Sequence, residues 1–177
     1  MKTEFLEMAK LTNTQTEALS RLRAAVYPPE VLATSPARFF TWATVQWSVF
    51  LWDSDELVAR VGLVVRDVLD NGVTKRIGGI GGVATHPARQ GQGLASIAMR
   101  EAEKHFREDL NVLYALLFCR PHLVEFYKRL DWKPFQGQVF VEQPQGKVEF
   151  SANGAMVLDV REQAPTQGVL DLNGLPW

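Results

Sequence analysis

The stretch Val83-Ala84-Thr85-His86-Pro87-Ala88-Arg89-Gln90-Gly91-Gln92-Gly93-Leu94-Ala95 constrains this chain more than any other. An apolar strand runs into a basic turn punctuated by Gly91 and Gly93, and the turn opens directly into a helix. The glycines remove side chains where a ligand could approach the backbone. The first amides of such a helix have no partner within it, and the positive end of its dipole lies behind them. That arrangement suits a pyrophosphate. A plain strand-to-helix connection is the other reading of the same residues. Two phosphate loops are excluded by spacing: there is no Gly-x-x-x-x-Gly-Lys-Ser/Thr, and no Gly-x-Gly-x-x-Gly followed by a ribose-binding acid.

A length of 177 residues fits one domain, 1–177, with a sizeable core. With 46% hydrophobic and 22% charged residues the chain belongs with globular proteins rather than disordered ones. A net charge of −1 argues against a nucleic-acid-binding surface. The single cysteine, Cys119, excludes an intrachain disulfide and fits a reducing compartment. Its apolar strand marks it as a buried structural thiol. No signal-peptide-like run and no membrane-length apolar stretch is present, so a cytoplasmic protein without a membrane partner is expected.

The hydrophobic pattern predicts a mixed α/β chain. Residues 4–11 alternate as an opening strand, and Thr14-Gln15-Thr16-Glu17 reads as a capping box before Leu19, Leu22 and Val26. Pro28-Pro29 stops that helix, and Ser35-Pro36 starts a short one carrying Phe39, Phe40 and Trp42. Strands follow over 47–52, 57–69 and 73–85, with Asp70-Asn71-Gly72 as a hairpin turn. The helix opened by the glycine turn places Leu94, Ile97, Ala98, Ala102 and Phe106 inward, and Arg100, Glu103, Lys104 and Arg107 outward. An apolar strand over 111–119, a helix from Pro121 to Leu130, and strands over 138–142 and 148–160, turned at Asn153-Gly154, precede a polar tail.

The segment His122 to Trp132 puts Leu123, Phe126 and Leu130 on one helical face, with Tyr127 beside it. Read alone, Tyr127 packs the helix. Together with Gln90-x-x-Gly93-x-Ala95, however, the segment resembles the GNAT superfamily of N-acetyltransferases across nearly the whole chain. The resemblance implies an acyl-CoA N-acyltransferase fold, a mixed, mostly antiparallel sheet flanked by helices. It implies acetyl-CoA as acyl donor, held at Val83, Ala84, Thr85, Gln90, Gly91, Gln92, Gly93, Leu94 and Ala95, with no metal. It also implies Tyr127 as the acid that protonates the departing thiolate; a phenol, with an ordinary pKa of about 10, keeps its proton at working pH. Asp131 stands where the family usually has glycine, a left-handed position that Asp tolerates. The glycines of Gly78-Gly79-Ile80-Gly81-Gly82 suggest a bulged strand, splayed from its neighbour to admit the pantetheine arm.

The base that takes the amine's proton is unassigned: His86 reads as a loop element, and Asp53, Asp55, Glu149 and a C-terminal carboxylate are candidates. A weaker resemblance links the chain to the aminoglycoside 2′-N-acetyltransferases and the nodulation N-acyltransferases. Gly81, Asn153 and Leu175 stand where the aminoglycoside enzymes carry acids, which argues against a polycationic sugar as substrate. Trp42, Trp47, Phe39 and Phe40 read as core, or as an apolar acceptor pocket. The expected activity is acetyl transfer to the primary amine of a small molecule, by a monomer or homodimer. The alternatives are an acyl-CoA-binding module without turnover and a transferase of longer acyl chains.

Overall fold

The computed structural model describes residues 1–177, the side chain of Pro36 excepted. Strand β1 (Lys2–Glu7) pairs antiparallel with β2 (Trp47–Asp53), and β2 pairs with β3 (Glu56–Asp70). Strands β3 and β4 (Val73–Thr85) form a long hairpin whose tip, Asn71 at φ 48° and Gly72 at φ 83°, has the two left-handed residues that match strand twist. Strand β5 (Tyr114–Cys119) joins β4 in parallel, and β6 (Lys133–Phe135) and β9 (Gly154–Asp159) continue beyond it. On the other side, β10 (Val169–Asp171) lies between β3 and β7 (Gln138–Gln143), and β8 (Gly146–Glu149) closes that edge. The sheet is mixed and mostly antiparallel, as expected; only β4–β5 and β10–β7 are parallel.

Helix α1 (Asn13–Val26) buries Ala18, Leu19 and Leu22 against Phe50, Trp52, Leu57 and Ala84. Its cap is Thr12, two residues earlier than expected: the Thr12 hydroxyl accepts from the Gln15 amide, and Gln15 reaches back to the Thr12 amide. Helix α2 (Pro29–Thr34), not anticipated, starts at the proline that follows the helix stop, and the Ser35-Pro36 element is a 3-10 turn over Pro36–Phe39. Helix α3 (Leu94–Glu108) packs Ala98, Met99, Ala102 and Phe106 on Val61, Leu63, Ile80 and Leu117. The helical periodicity misplaces two of its residues. Ile97 is exposed, whereas Glu103 is buried because its carboxylate accepts from the Trp132 indole at 3.0 Å and pairs with Arg100. Helix α4 (Val124–Lys128) buries Tyr127, with Leu130 just beyond it, and leaves Leu123 exposed. Asp131 is left-handed at φ 69°, as the resemblance implied.

The expected polar tail is core. Leu170, Leu172 and Trp177 are buried, and the Trp177 indole donates to the Leu116 carbonyl at 3.1 Å. Arg66 holds the segment by donating to the carbonyls of Leu172 and Leu175. The expected strand over 148–160 is two: β8 pairs with β7, whereas β9 pairs with β5 and β6 at the opposite end of the sheet. Among the described residues no helix is long and apolar enough to cross a membrane.

Candidate active site

Strands β4 and β5 pair only at Gly78–Ile80 with Ala115–Leu117. Beyond Ile80 and Leu117 both strands continue, β4 to Thr85 and β5 to Cys119, without pairing to each other. Across the gap their backbone groups lack each other as partners and can meet a ligand that carries amides of its own, although the Val83 carbonyl already accepts from the Tyr27 hydroxyl and the Thr85 carbonyl from Gln90 Nε2. On its other side β4 stays paired to β3, with a register shift between Arg60 and Gly62. The extra residue falls at Gly82, whose φ of +59° is a conformation that L side chains rarely adopt.

The glycine run thus has several causes. Gly82 makes the bulge expected from sequence. The close approaches at the other positions come from the chain itself: a Cβ on Gly78 would strike Phe106, and one on Gly79 would lie 2.1 Å from the Trp177 indole. At the end of the strand, Val83 is half-buried against the α3-side core, and Ala84 packs with α1. The Thr85 hydroxyl is buried without a hydrogen-bond partner among the described residues, an unmet donor beside the opening.

The turn after Thr85 is held by its own side chains. His86 accepts from the Ala88 amide, consistent with a loop element rather than a base. Arg89 pairs with Asp53 and Glu56 and donates to Gln92, so the basic residue of the turn is drawn toward the β2–β3 turn. Gln90, Gly91, Gln92 and Gly93 are exposed. Gly93 caps α3 at φ +76° without any side-chain cap, and space is open around the Cβ positions of Gly91 and Gly93. Leu94 is anchored in a small apolar cluster with Leu51, Val58 and Ala59, and Ala95 is half-buried. The first free amides of a fifteen-residue helix therefore face open space close to the mouth of the splay.

Tyr127 is 5% exposed and packs edge-on to Phe126 and Trp132. Burial, and then the neighbouring Cys119 and Tyr27, push its phenol pKa well above the ordinary value, so it is a donor across the working pH range. Cys119 is buried at the end of β5, and burial raises its thiol to about 11. The structure brings Tyr127 and Cys119 together beside the splay. Of the carboxylates offered as bases, Asp53 pairs with Arg89, Asp55 lies in the β2–β3 turn, and Glu149 is on β8 beside Gln138, whereas the C-terminal carboxyl carbon of Trp177 lies 3.0 Å from the Cβ position of Gly81, the first splayed residue of β4.

Sequence reasoning missed two residues here. Tyr27, at the end of α1, donates its hydroxyl to the Val83 carbonyl at 3.4 Å, and it is near enough to Tyr127 and Arg60 to affect the charge of each. Arg60 is 7% exposed on β3 and donates to the Ser48 hydroxyl through Nε and Nη2. Nothing in local pattern marks Tyr27, but Arg60 is a lone cation inside the apolar run 57–65, a signal that was readable. The aromatic residues divide: Phe40 and Trp42 cluster with Phe118 and Phe150, Phe39 is exposed, and Trp47 packs against the α3 core.

A family model described as an acetyltransferase (GNAT) domain matches residues 7–135. No curated protein matches the sequence. Among solved structures, Escherichia coli ElaA is similar at a TM-score of 0.61 and 21% identity, covering 89% of this chain and 99% of that one. The E. coli GNAT family N-acetyltransferase YhbS, solved in complex with CoA, aligns at a TM-score of 0.62 and 12% identity over 98% of this chain and 91% of its own. A Brucella melitensis GNAT family acetyltransferase solved with acetyl-CoA gives 0.58 and 16%, over 96% and 94%. With strands that part beside a free helix N-terminus and a family model spanning most of its length, this chain belongs to the GNAT acetyltransferase family.

Proposed function

We propose that the protein transfers an acetyl group from acetyl-CoA to a primary amine of a small acceptor. The observation that carries this reading is the parting of β4 and β5 after Ile80 and Leu117, which opens toward the uncapped start of α3. Acetyl-CoA supplies an acyl thioester and an anionic pyrophosphate. The amides from Gln90 to Ala95, at the positive end of α3, would hold the pyrophosphate. The open backbone edge of Val83 to Thr85, with the unmet Thr85 hydroxyl, would bind the pantetheine amides. The acceptor nitrogen forms the new C–N bond as the C–S bond breaks. Tyr127, kept protonated by burial, gives its proton to the leaving sulfur, and the proton that the acceptor nitrogen loses passes to solvent, from which the phenol is restored. The products are an amide and free CoA thiol.

Calorimetry with acetyl-CoA tests the donor site. Wild-type protein should bind in the micromolar range, about −8 kcal/mol, and Gly93→Tyr should not, because its side chain would fill the space in front of the α3 amides. Tyr127→Phe should keep that affinity and lose turnover in an amine screen followed by thiol release. A folded wild-type protein that does not bind acetyl-CoA would sink the reading.

A further inference from the structure

Arg60 points to the chemistry of the acceptor. Along β3, Val61, Leu63 and Val65 face the α3 core, whereas Arg60 lies on the other face, with Gly62 beside its guanidinium. Arg60 as a whole is 7% exposed, and its only protein hydrogen-bond partner among the described residues is the Ser48 hydroxyl, reached at 3.2 Å by Nε and 3.1 Å by Nη2. No side-chain carboxylate pairs with it among the described residues; the charge that acts on it most is a second cation, Arg23, exposed on α1, and the C-terminal carboxylate of Trp177 lies farther along the same face, beside Gly81. A buried cation without a counter-ion is costly, and folds rarely retain one without an anion to meet.

The remaining nitrogen, Nη1, has no protein partner, reaches the surface and lies beside the bulge: a Cβ on Gly82 would be 2.5 Å from it. Gly82 is itself exposed, so the guanidinium sits directly under the open surface of the bulge. Gly62 gives similar clearance to Nη2. The Tyr27 hydroxyl, on the Val83 carbonyl, lies within electrostatic reach of both Arg60 and Tyr127. Arg60 therefore lies by Gly82, and the core cluster that holds the proposed acid packs against the next residue, Val83.

We infer that Arg60 receives an anionic group of the acceptor, so that the substrate carries a carboxylate or phosphate a few bonds from the amine to be acetylated. This inference rests on the transferase reading and narrows its acceptor. The guanidinium fork suits either anion, and burial strengthens its hydrogen bonds. Arg23 adds a positive field at the approach, and Ser48 fixes the fork. The short separation follows from placement: Arg60 lies one strand from Val83, where the thioester would stop.

The test is a panel of matched amines assayed by CoA thiol release. L-amino acids are compared with their amides, and O-phosphoethanolamine with ethanolamine, which separates a carboxylate from a phosphate source. Wild-type protein should favour the anionic member of at least one pair by about ten- to a hundredfold in kcat/KM, the worth of hydrogen bonds to a charged group. Arg60→Met should bring that ratio close to one while acetyl-CoA binding by calorimetry is retained. If Arg60→Met does not bind acetyl-CoA, Arg60→Lys replaces it, keeping the charge without the fork, and the ratio should fall partway. Preference for neutral amines, a ratio unchanged in both variants, or no acetylation of any anionic amine by protein that binds acetyl-CoA overturns the inference and leaves the transferase reading intact. Failure of wild-type protein to bind acetyl-CoA removes the transferase reading, and this inference with it.

Discussion

Gly79→Ala is a one-carbon change whose sign depends on a residue ninety-eight positions away. Gly79 sits mid-sheet, paired to Val64 and Leu116, with ordinary extended backbone. A methyl group there would lie 2.1 Å from one indole carbon of Trp177 and 2.4 Å from two other indole atoms, inside any tolerable contact. The indole is confined by its bond to the Leu116 carbonyl and by Arg66, whose guanidinium carbon is 5.2 Å from the ring centre. Relief therefore requires moving a buried tryptophan, and overpacking of this kind costs about 1–3 kcal/mol. In a Trp177→Ala background the obstacle is gone, and the lower entropy of an unfolded alanine should stabilise by about 0.4–1 kcal/mol. The coupling between the two sites is then about 1.5–4 kcal/mol. Urea denaturation of the four proteins of the cycle measures it. Trp177→Ala alone should cost about 3–5 kcal/mol, so its curves begin from a lower midpoint. Equal effects of Gly79→Ala in both backgrounds, within about 0.5 kcal/mol, would refute the claim that this glycine makes room for Trp177.

Two other outcomes follow from buried groups. Burial raises the pKa of Glu103 above its ordinary value despite the opposing bonds from Trp132 and Arg100. Its contribution to stability is thus complete below the unfolded carboxylate pKa and lost as pH rises through the folded one. Glu103→Gln should gain on wild type in chemical denaturation as pH rises from about 4 upward; a difference flat with pH would count against it. Cys119, with its thiol raised to about 11 and only 3% exposed, should resist alkylation at pH 8 in native protein and react promptly once unfolded. Rapid labelling of the folded chain would place it at the surface.

The features legible in sequence are those built from neighbours in the chain. Asn71-Gly72 and the strands flanking it pair locally, and the strand–turn–helix from Val83 to Ala95 needs no distant partner to be recognised. Asp131 was readable through the resemblance, which puts a left-handed residue at the end of that helix. The cap of α1 was displaced because Thr12/Gln15 and Thr14/Glu17 carry the same spacing, and the side-chain bond from Gln15 to Glu4 is visible only in three dimensions. Glu103 was assigned to solvent by periodicity, yet its partner Trp132 lies beyond the next strand and helix. The tail shows the limit most clearly. Nothing near residues 169–177 announces that Asn71 will bond to Val169, or that Arg66 will bind two tail carbonyls. Of the candidate site, the glycine turn was named from its own residues and Tyr127 through the resemblance. Tyr27 was not, because its role arises where the end of α1 meets β4.

The parting of β4 and β5 has a second consequence, for the solubility of the free chain. Most sheets expose unpaired ladder groups only along their outer margins, where a foreign strand can add and begin an aggregate. Here part of such a margin lies inside the sheet, along Gly81 to Thr85. The unpaired stretch is short, only Gly82 of it is exposed, and the left-handed bend there spoils its flatness, all of which hinder a docking strand. Any molecule that lodges between the strands covers the same groups, so occupancy of the cleft protects the protein from self-association as well as from unfolding.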